Sequence, residues 1–168
     1  MDYAWTCSCC GKQFNTLPLD FGFKGPDQWF AIPEAERESR GNLSDDFCAI
    51  DKDLFIRGCL EIPIIDSSDI FIWGVWTSIS KESFDRIGEL WAAPVIENEP
   101  PRFGWLCNNI SAYPKSTMGL KTNLYIRAGG IRHLVKVEPT DHPLAIEQRD
   151  GISLKRIEEI AAKSHTRH

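Results

Sequence analysis

The chain has 168 residues, of which 42% are hydrophobic and 26% charged, and its formal net charge is −5. This length suits one domain over residues 1–168 with a substantial core. The acidic balance argues against a general nucleic-acid binder and permits a basic protein partner. No run of about eighteen apolar residues occurs, so we expect no membrane span. The first residues lack the basic and apolar stretches of a signal peptide, so we expect a cytoplasmic protein.

Residues 1–14 contain a cysteine-rich turn. Cys7 and Cys10 are three apart and precede Gly11, a spacing with which a tight turn points two thiolates at one metal ion. Structural zinc needs four ligands, and Cys9 is poorly placed as a third beside Cys10. The other candidate ligands are Cys48, Cys59, Cys107, His133 and His142. The alternative is a thiol-rich turn without metal. Thioredoxin-type redox chemistry is not expected, because no strand is predicted before the motif and no βαβ pattern surrounds it.

The middle and end of the chain alternate predicted strands with short helices. Residues 15–28 lack periodicity and are predicted as ordered loop. Helices are predicted over residues 33–40, 81–91, 140–148 and 154–163, each opened by a proline or a capping residue. Strands are predicted over residues 46–50, 104–110, 120–127 and 133–138.

The stretch from Phe55 to Ser80 organises the chain as a long predicted β-hairpin. Two runs rich in Ile, Phe, Trp and Val flank a polar tetrad at residues 66–69, which suits a four-residue loop and pairs Ile65 with Ile70. In that register one face is almost wholly apolar and contains Trp73, so it should be the core face. We therefore expect an α+β fold: a mainly antiparallel sheet around this central hairpin, with helices packed on its core face.

The opposite face of the hairpin is the candidate binding surface. Arg57 and Glu61 are four apart and share that face, and the predicted register places Cys59 and Trp76 between them. Arg and Trp are favoured in recognition. The alternative is an ion pair at the sheet edge, worth about 0–1 kcal/mol if exposed. If Trp76 belongs to the binding surface, Trp76→Ala should cost noticeably less than the roughly 3–5 kcal/mol expected for Trp73→Ala.

Two further polar groups have competing interpretations. Cys48 and Cys59 lie on successive predicted strands, where they are two small core residues or a redox or metal half-site. His142 follows Asp141 at a predicted helix start, where it bonds to a backbone carbonyl or joins the binding surface. A triad of either cysteine with His142 and Asp45 has no support from spacing.

Many short segments also match one pattern along nearly the whole chain. They are Cys7-x-x-Cys10-Gly11, Leu17-Pro18, the Pro33–Arg40 helix, Leu43-Ser44-Asp45-Asp46-x-Cys48, Phe55-Ile56-Arg57-Gly58, Glu61-Ile62-Pro63, Trp73-Gly74-Val75-Trp76, Gly104-Trp105-Leu106-Cys107-Asn108, Leu120-Lys121-Thr122, Asp141-His142-Pro143-Leu144-Ala145 and Glu147-Gln148-Arg149-Asp150-Gly151-Ile152. This pattern resembles the bacterial family domain of unknown function twenty-one ninety-nine, which implies a bacterial cytosolic protein without an established activity. Family members typically carry His where this chain has Phe14. An aromatic there can pack the turn onto the core, so we expect folding without stoichiometric zinc.

The functional expectation follows from the mixed face, the acidic charge and the lack of a coherent catalytic set. A non-catalytic protein-binding module fits these features, with toxin neutralisation as one form. The alternative is a small-molecule enzyme that uses Cys59, Arg57, Glu61 or His142. A deep pocket gathering those side chains favours the enzyme, and a flat or convex face favours the binding module. No cofactor is expected, zinc at Cys7 and Cys10 being the alternative. The sequence leaves the partner, the ligand and the oligomeric state open.

Overall fold

The computed structural model describes residues 1–165 of the chain, which form ten strands and five helices. The strands are β1 (Asp2–Thr6), β2 (Gln13–Thr16), β3 (Asp20–Gly22), β4 (Gly41–Leu43), β5 (Phe47–Ile50), β6 (Asp53–Pro63), β7 (Ile70–Ile79), β8 (Arg102–Leu106), β9 (Lys121–Tyr125) and β10 (His133–Val137). The helices are α1 (Asp27–Ala31), α2 (Glu34–Arg40), α3 (Lys81–Leu90), α4 (Pro143–Asp150) and α5 (Leu154–His165).

Five strands close a barrel around the main core. Antiparallel pairs join β6 to β7, β7 to β8, β8 to β9 and β9 to β10. β10 then pairs in parallel with β6, with His133 opposite Gly58 and Leu134 opposite Cys59. The parallel seam follows from the count, because after four reversals the fifth strand runs in the direction of the first.

The outer strands extend this barrel into a larger mixed sheet. β3 pairs in parallel with β7, while β5 and β4 continue antiparallel beyond the first half of β6. The α+β class is therefore confirmed. The finer expectation, a mainly antiparallel sheet around the hairpin, is not confirmed, because the sheet is mixed and five of its strands close on themselves.

The central hairpin forms, but its register differs by two residues from the prediction. Pro63, not Ile65, pairs with Ile70, which lengthens the loop to residues 64–69. Ile64 bridges Ile152, and the Ile65 amide donates to the Ile152 carbonyl at 2.9 Å. Because side chains alternate with a period of two, a two-residue shift leaves every side chain on its predicted face.

The core face of the hairpin points into the barrel, as predicted. Trp73 is buried there, in one apolar cluster with Ile157 and Ile160 of α5. Its indole N–H donates to the Tyr113 hydroxyl at 3.1 Å. Burying a large apolar side chain contributes roughly 1.5–3 kcal/mol before entropy is subtracted, so this cluster is the main source of stability.

The opposite face of the hairpin is covered along half of its length. Phe55 and Trp76 lie in a second buried cluster with Ile32 and Cys48. Trp76 is 0% exposed, and its indole N–H donates to the Phe23 carbonyl at 2.9 Å. Trp76 therefore does not lie on an open face, which corrects the sequence-based expectation. The segment 23–43 packs over Trp76, although its sequence has no apolar periodicity from which this packing could be predicted.

Residues 1–16 form a separate two-stranded hairpin that carries the cysteine turn. The strand β1 before the turn was not predicted from the sequence. Trp5 is buried in the main core, and its indole N–H donates to the Thr16 carbonyl at 2.8 Å. Its ring stacks on Phe14 with centroids 5.0 Å apart, and Phe14 packs against the same core as expected. The Tyr3 hydroxyl also donates to Glu158 of α5 at 2.9 Å.

Candidate functional site

Three predicted site residues project together from β6. Arg57, Cys59 and Glu61 are all partly exposed and alternate with the buried core residues. Glu61 does not pair with Arg57, however. Its Oε1 accepts a hydrogen bond from Nη1 of Arg127 at 3.0 Å, and Arg127 precedes β10. Sequence spacing could not show this partner, which comes from a distant part of the chain.

Arg57 lies across the backbone of two glycines. A Cβ atom on Gly22 would approach its Nη2 to 2.6 Å, and one on Gly74 would approach it to 3.3 Å. The missing side chains therefore leave the space that the guanidinium occupies. The Arg57 Nε is buried and has no hydrogen-bond partner among the described residues.

Cys59 has the environment of a protonated thiol. Burial raises its pKa above the usual value, and the charge of Arg127 only partly opposes that effect. A thiol is a far weaker nucleophile than a thiolate. Cys48 does not approach it, because Cys48 pairs with Phe55 whereas Cys59 pairs with Gly74. Burial also raises the pKa of Cys48 to about 11, in keeping with a small core residue.

His142 is engaged in capping α4. Its Nδ1 accepts from the Leu144 amide at 3.0 Å, and its Nε2 lies 3.1 Å from the Ser116 carbonyl. His142 is thus itself the N-cap of α4. None of these bonds joins it to the residues on β6, so the structure does not gather the five predicted binding residues into one site.

The outward side of β6, β10, β9 and β8 forms one continuous surface, which we call the outer barrel surface. Strand pairing aligns Cys59 with Leu134 and Leu134 with Tyr125 across it. Farther along, Phe103 pairs with Asn123 and Trp105 with Lys121, so all of these residues lie on neighbouring strands.

Three aromatic side chains are exposed on the outer barrel surface. Phe103, Trp105 and Tyr125 are 43%, 46% and 37% exposed, and the first two rings meet edge to face with centroids 5.0 Å apart. Sequence analysis missed them. The alternation of Phe103 and Trp105 with Gly104 and Leu106 indicates that the two aromatic residues share one face of a strand. Aromatic residues are, however, ordinarily assigned to the core side of a strand.

Lysines accompany these aromatic residues. The Lys136 ammonium lies 5.0 Å from the centre of the Tyr125 ring, within the range of a cation–π contact. Neither Lys121 nor Lys136 takes part in an ion pair found within residues 1–165. The outer barrel surface therefore offers two cationic groups that no ion pair within residues 1–165 engages.

Two open cavities border this surface. One of about 470 Å³ lies between β6, β10 and α4, with Glu61, Leu134 and Lys136 in its lining. The other, of about 460 Å³, is lined in part by Phe103 and Trp105. Of the predicted binding residues, only Glu61 lines either of them, so neither cavity gathers Arg57, Cys59 and His142.

The cysteine turn brings three sulfurs together instead of two. The Sγ atoms of Cys7, Cys9 and Cys10 all lie within 4.8 Å of one another. A hydrogen bond with Cys9, at 2.8 Å between the sulfurs, lowers the pKa of Cys7 to about 7 and raises that of Cys9 to about 11. The expectation that Cys9 is misplaced is corrected. Within residues 1–165, no histidine, carboxylate or other cysteine joins this group.

Within residues 1–165, no helix has the length and apolar character needed to traverse a bilayer.

Comparison with known proteins places the chain in a family but gives no activity. Searches of curated proteins and of solved structures found no match. A family profile matches residues 6–152, which is most of the chain. The chain therefore belongs to the family described as "Uncharacterized protein conserved in bacteria (DUF2199)".

Proposed function

We propose that this protein is a non-catalytic binding module that holds a protein partner on its outer barrel surface. The observation that carries the proposal is the exposure of Phe103, Trp105 and Tyr125 on neighbouring strands. Exposed apolar clusters on soluble proteins mark interaction sites more often than scattered single residues do. Tyr and Trp are also among the residues that contribute most to binding free energy in protein interfaces.

The charges on this surface favour an acidic partner segment. Lys121 and Lys136 flank the aromatic residues, while Glu61 is already held by Arg127 and one acid, Glu138, lies beside Lys121. We infer a partner segment with apolar side chains for the aromatic cluster and Asp or Glu for the lysines. The net charge of −5 permits a basic partner elsewhere on the protein, but these lysines fit an acidic one. That net charge also disfavours nucleic acid, whose binding depends on phosphate neutralisation.

An enzyme that uses Cys59, Arg57, Glu61 or His142 has less support. Catalysis needs its groups within hydrogen-bond reach of one substrate. His142 instead caps α4, and the cavity near Glu61 lacks the other three residues. Burial also raises the pKa of the Cys59 thiol, which makes this cysteine a weak nucleophile.

Selection from a displayed peptide library on the purified protein tests the proposal. The expected peptides combine acidic residues with apolar ones. A synthetic copy should bind Trp105→Ala at least about 30-fold more weakly, because truncating a central aromatic anchor typically costs roughly 2 kcal/mol or more. Phe30→Ala is the matched control, since Phe30 is equally exposed but lies on α1. It should bind as the unsubstituted protein does.

Three results would count against the proposal. Peptides that bind Trp105→Ala unchanged would place the interaction elsewhere. Enrichment of basic peptides would contradict the charge argument. Tight binding of a single-stranded oligonucleotide at physiological salt, lost in Trp105→Ala, would assign the aromatic residues to base stacking instead. Affinity capture from the native host with the same two variants would then identify the partner, including a toxin if the protein neutralises one.

A further inference from the structure

The cysteine turn carries a second inference, which does not depend on the partner surface. We propose that the thiolates of Cys7, Cys9 and Cys10 bind one thiophilic d¹⁰ metal ion, Zn²⁺ or Cu⁺, with three protein ligands. This departs from the expectation of a metal-free turn in which Cys9 is poorly placed as a third ligand.

The geometry of the three sulfurs fits one ion. Metal–sulfur bonds of about 2.3 Å place three ligand sulfurs roughly 3.8–4.0 Å from one another. The Sγ atoms here lie within 4.8 Å of one another, and Cys7 and Cys9 are 2.8 Å apart. The Cys7 and Cys9 sulfurs would therefore have to separate by about 1 Å to reach this geometry, which rotation of their side chains can supply.

The backbone of the turn holds this arrangement. The Gly11 amide donates to the Cys7 carbonyl at 2.9 Å, and Gly11 has a φ of +72°, a conformation that glycine adopts without steric cost. The Cys7 amide in turn donates to the Lys12 carbonyl at 2.9 Å, so backbone hydrogen bonds fix both ends of the turn.

The donor set selects the chemical class of the ion. Thiolate ligands favour soft ions such as Cu⁺ and Zn²⁺ over Mg²⁺, Ca²⁺ or Mn²⁺, which prefer oxygen. Cys9 and Cys10 are exposed, so an ion can enter from solvent. Since no fourth His, Cys, Asp or Glu within residues 1–165 joins the group, water or an external ligand would complete a tetrahedral zinc site.

The hairpin that carries the turn is attached to the body without a metal. Trp5 and Leu17 are buried in the main core, and Tyr3 bonds to Glu158. The apo protein should therefore fold, unlike small domains in which metal binding supplies the folding free energy. This allows metal binding to be measured on the intact, folded, metal-free chain.

The test is a titration of the reduced, chelator-stripped full chain with Zn²⁺ and, anaerobically, with Cu⁺. At least one of the two ions should bind at one equivalent per chain and protect three thiols from a thiol reagent. Cys9→Ser should weaken binding by more than the roughly 10–100-fold that loss of an outer-shell partner costs. Cys59→Ser, which removes a thiol outside the group, should bind as the unsubstituted chain does. Comparison of the two affinities shows which of the two ions the site prefers.

A spectroscopic measurement counts the thiolate ligands directly. With Co²⁺ as a spectroscopic substitute for zinc, the sulfur-to-metal charge-transfer absorbance should fall by about one third in Cys9→Ser, from three thiolates to two. Equal melting temperatures of Cys9→Ser and the unsubstituted chain in chelator would show that the variant is folded. The proposal is overturned if neither Zn²⁺ nor Cu⁺ binds at micromolar concentration. Unchanged binding by Cys9→Ser does so too, since the pair Cys7 and Cys10 would then act without Cys9.

Discussion

Trp76→Ala tests whether the segment 23–43 is a true cover of the hairpin. Trp76 is fully buried, and its indole N–H donates to the Phe23 carbonyl at 2.9 Å. Truncating a buried Trp costs about 3–5 kcal/mol, and we expect the upper part of that range because the Phe23 carbonyl also loses its donor. At roughly 2–4 °C per kcal/mol for a chain of this size, the melting temperature should fall by about 8–20 °C.

The assay combines urea unfolding with hydrogen exchange. Trp76→Phe keeps most of the buried ring but not the N–H, so it should cost only about 1–2 kcal/mol. Hydrogen exchange in Trp76→Ala should rise most in residues 23–43. Trp73→Ala should lose a similar free energy of unfolding, but its exchange should rise most in α5. A loss below about 1 kcal/mol for Trp76→Ala, or faster exchange in α5 than in residues 23–43, would refute the packing argument.

Four further predictions concern two glycines and two titrating groups. Gly58→Ala should destabilise by about 1–3 kcal/mol in urea unfolding, because its Cβ would lie 2.5 Å from Val135 Cγ2. Gly88→Ala in α3 should stabilise by about 0.4–1 kcal/mol, because, apart from its chain neighbours and the helix's own backbone, no atom of residues 1–165 lies within 4 Å of the added Cβ. Burial lowers the pKa of His133 from 6.5 to about 4, so the unfolded chain takes up the proton first. The free energy of unfolding should therefore fall as the pH is lowered from 6.5 to about 4, and it should fall less in His133→Leu. Hydrogen bonds from two arginines lower the pKa of Glu99 from 4.5 to about 2. Its contribution to stability should be present above pH 4.5 and lost towards pH 2, and Glu99→Gln should remove that dependence in acid titrations followed by circular dichroism.

The sequence was informative wherever a local period decides the outcome. The faces of β6 and β7 followed from alternation, so Trp73 was placed in the core and Arg57 beside Glu61 on the other side. The register was not local. Ile64 bridges Ile152, which lies far away along the chain, and this contact lengthens a loop that a polar tetrad alone would make short.

The candidate sites depended on contacts that no local pattern contains. The Glu61 partner Arg127 and the cover of Trp76 both come from distant segments. Alternation in β8 separates Phe103 from its neighbours but does not say which side faces solvent. The sequence argument excludes Cys9 as a third ligand because it is adjacent to Cys10, whereas in this turn its sulfur converges with that of Cys7.

The parallel seam between β10 and β6 has a consequence for folding kinetics. The β6–β7 hairpin needs only a short loop to form, whereas the seam joins Gly58 to His133 after β7, β8 and β9 have been traversed. Contacts that enclose such long stretches of chain form slowly, because loop-closure entropy opposes them. The barrel should therefore assemble outward from the hairpin and close at this seam last. Substitutions at Gly58 should accordingly accelerate unfolding while leaving the refolding rate almost unchanged.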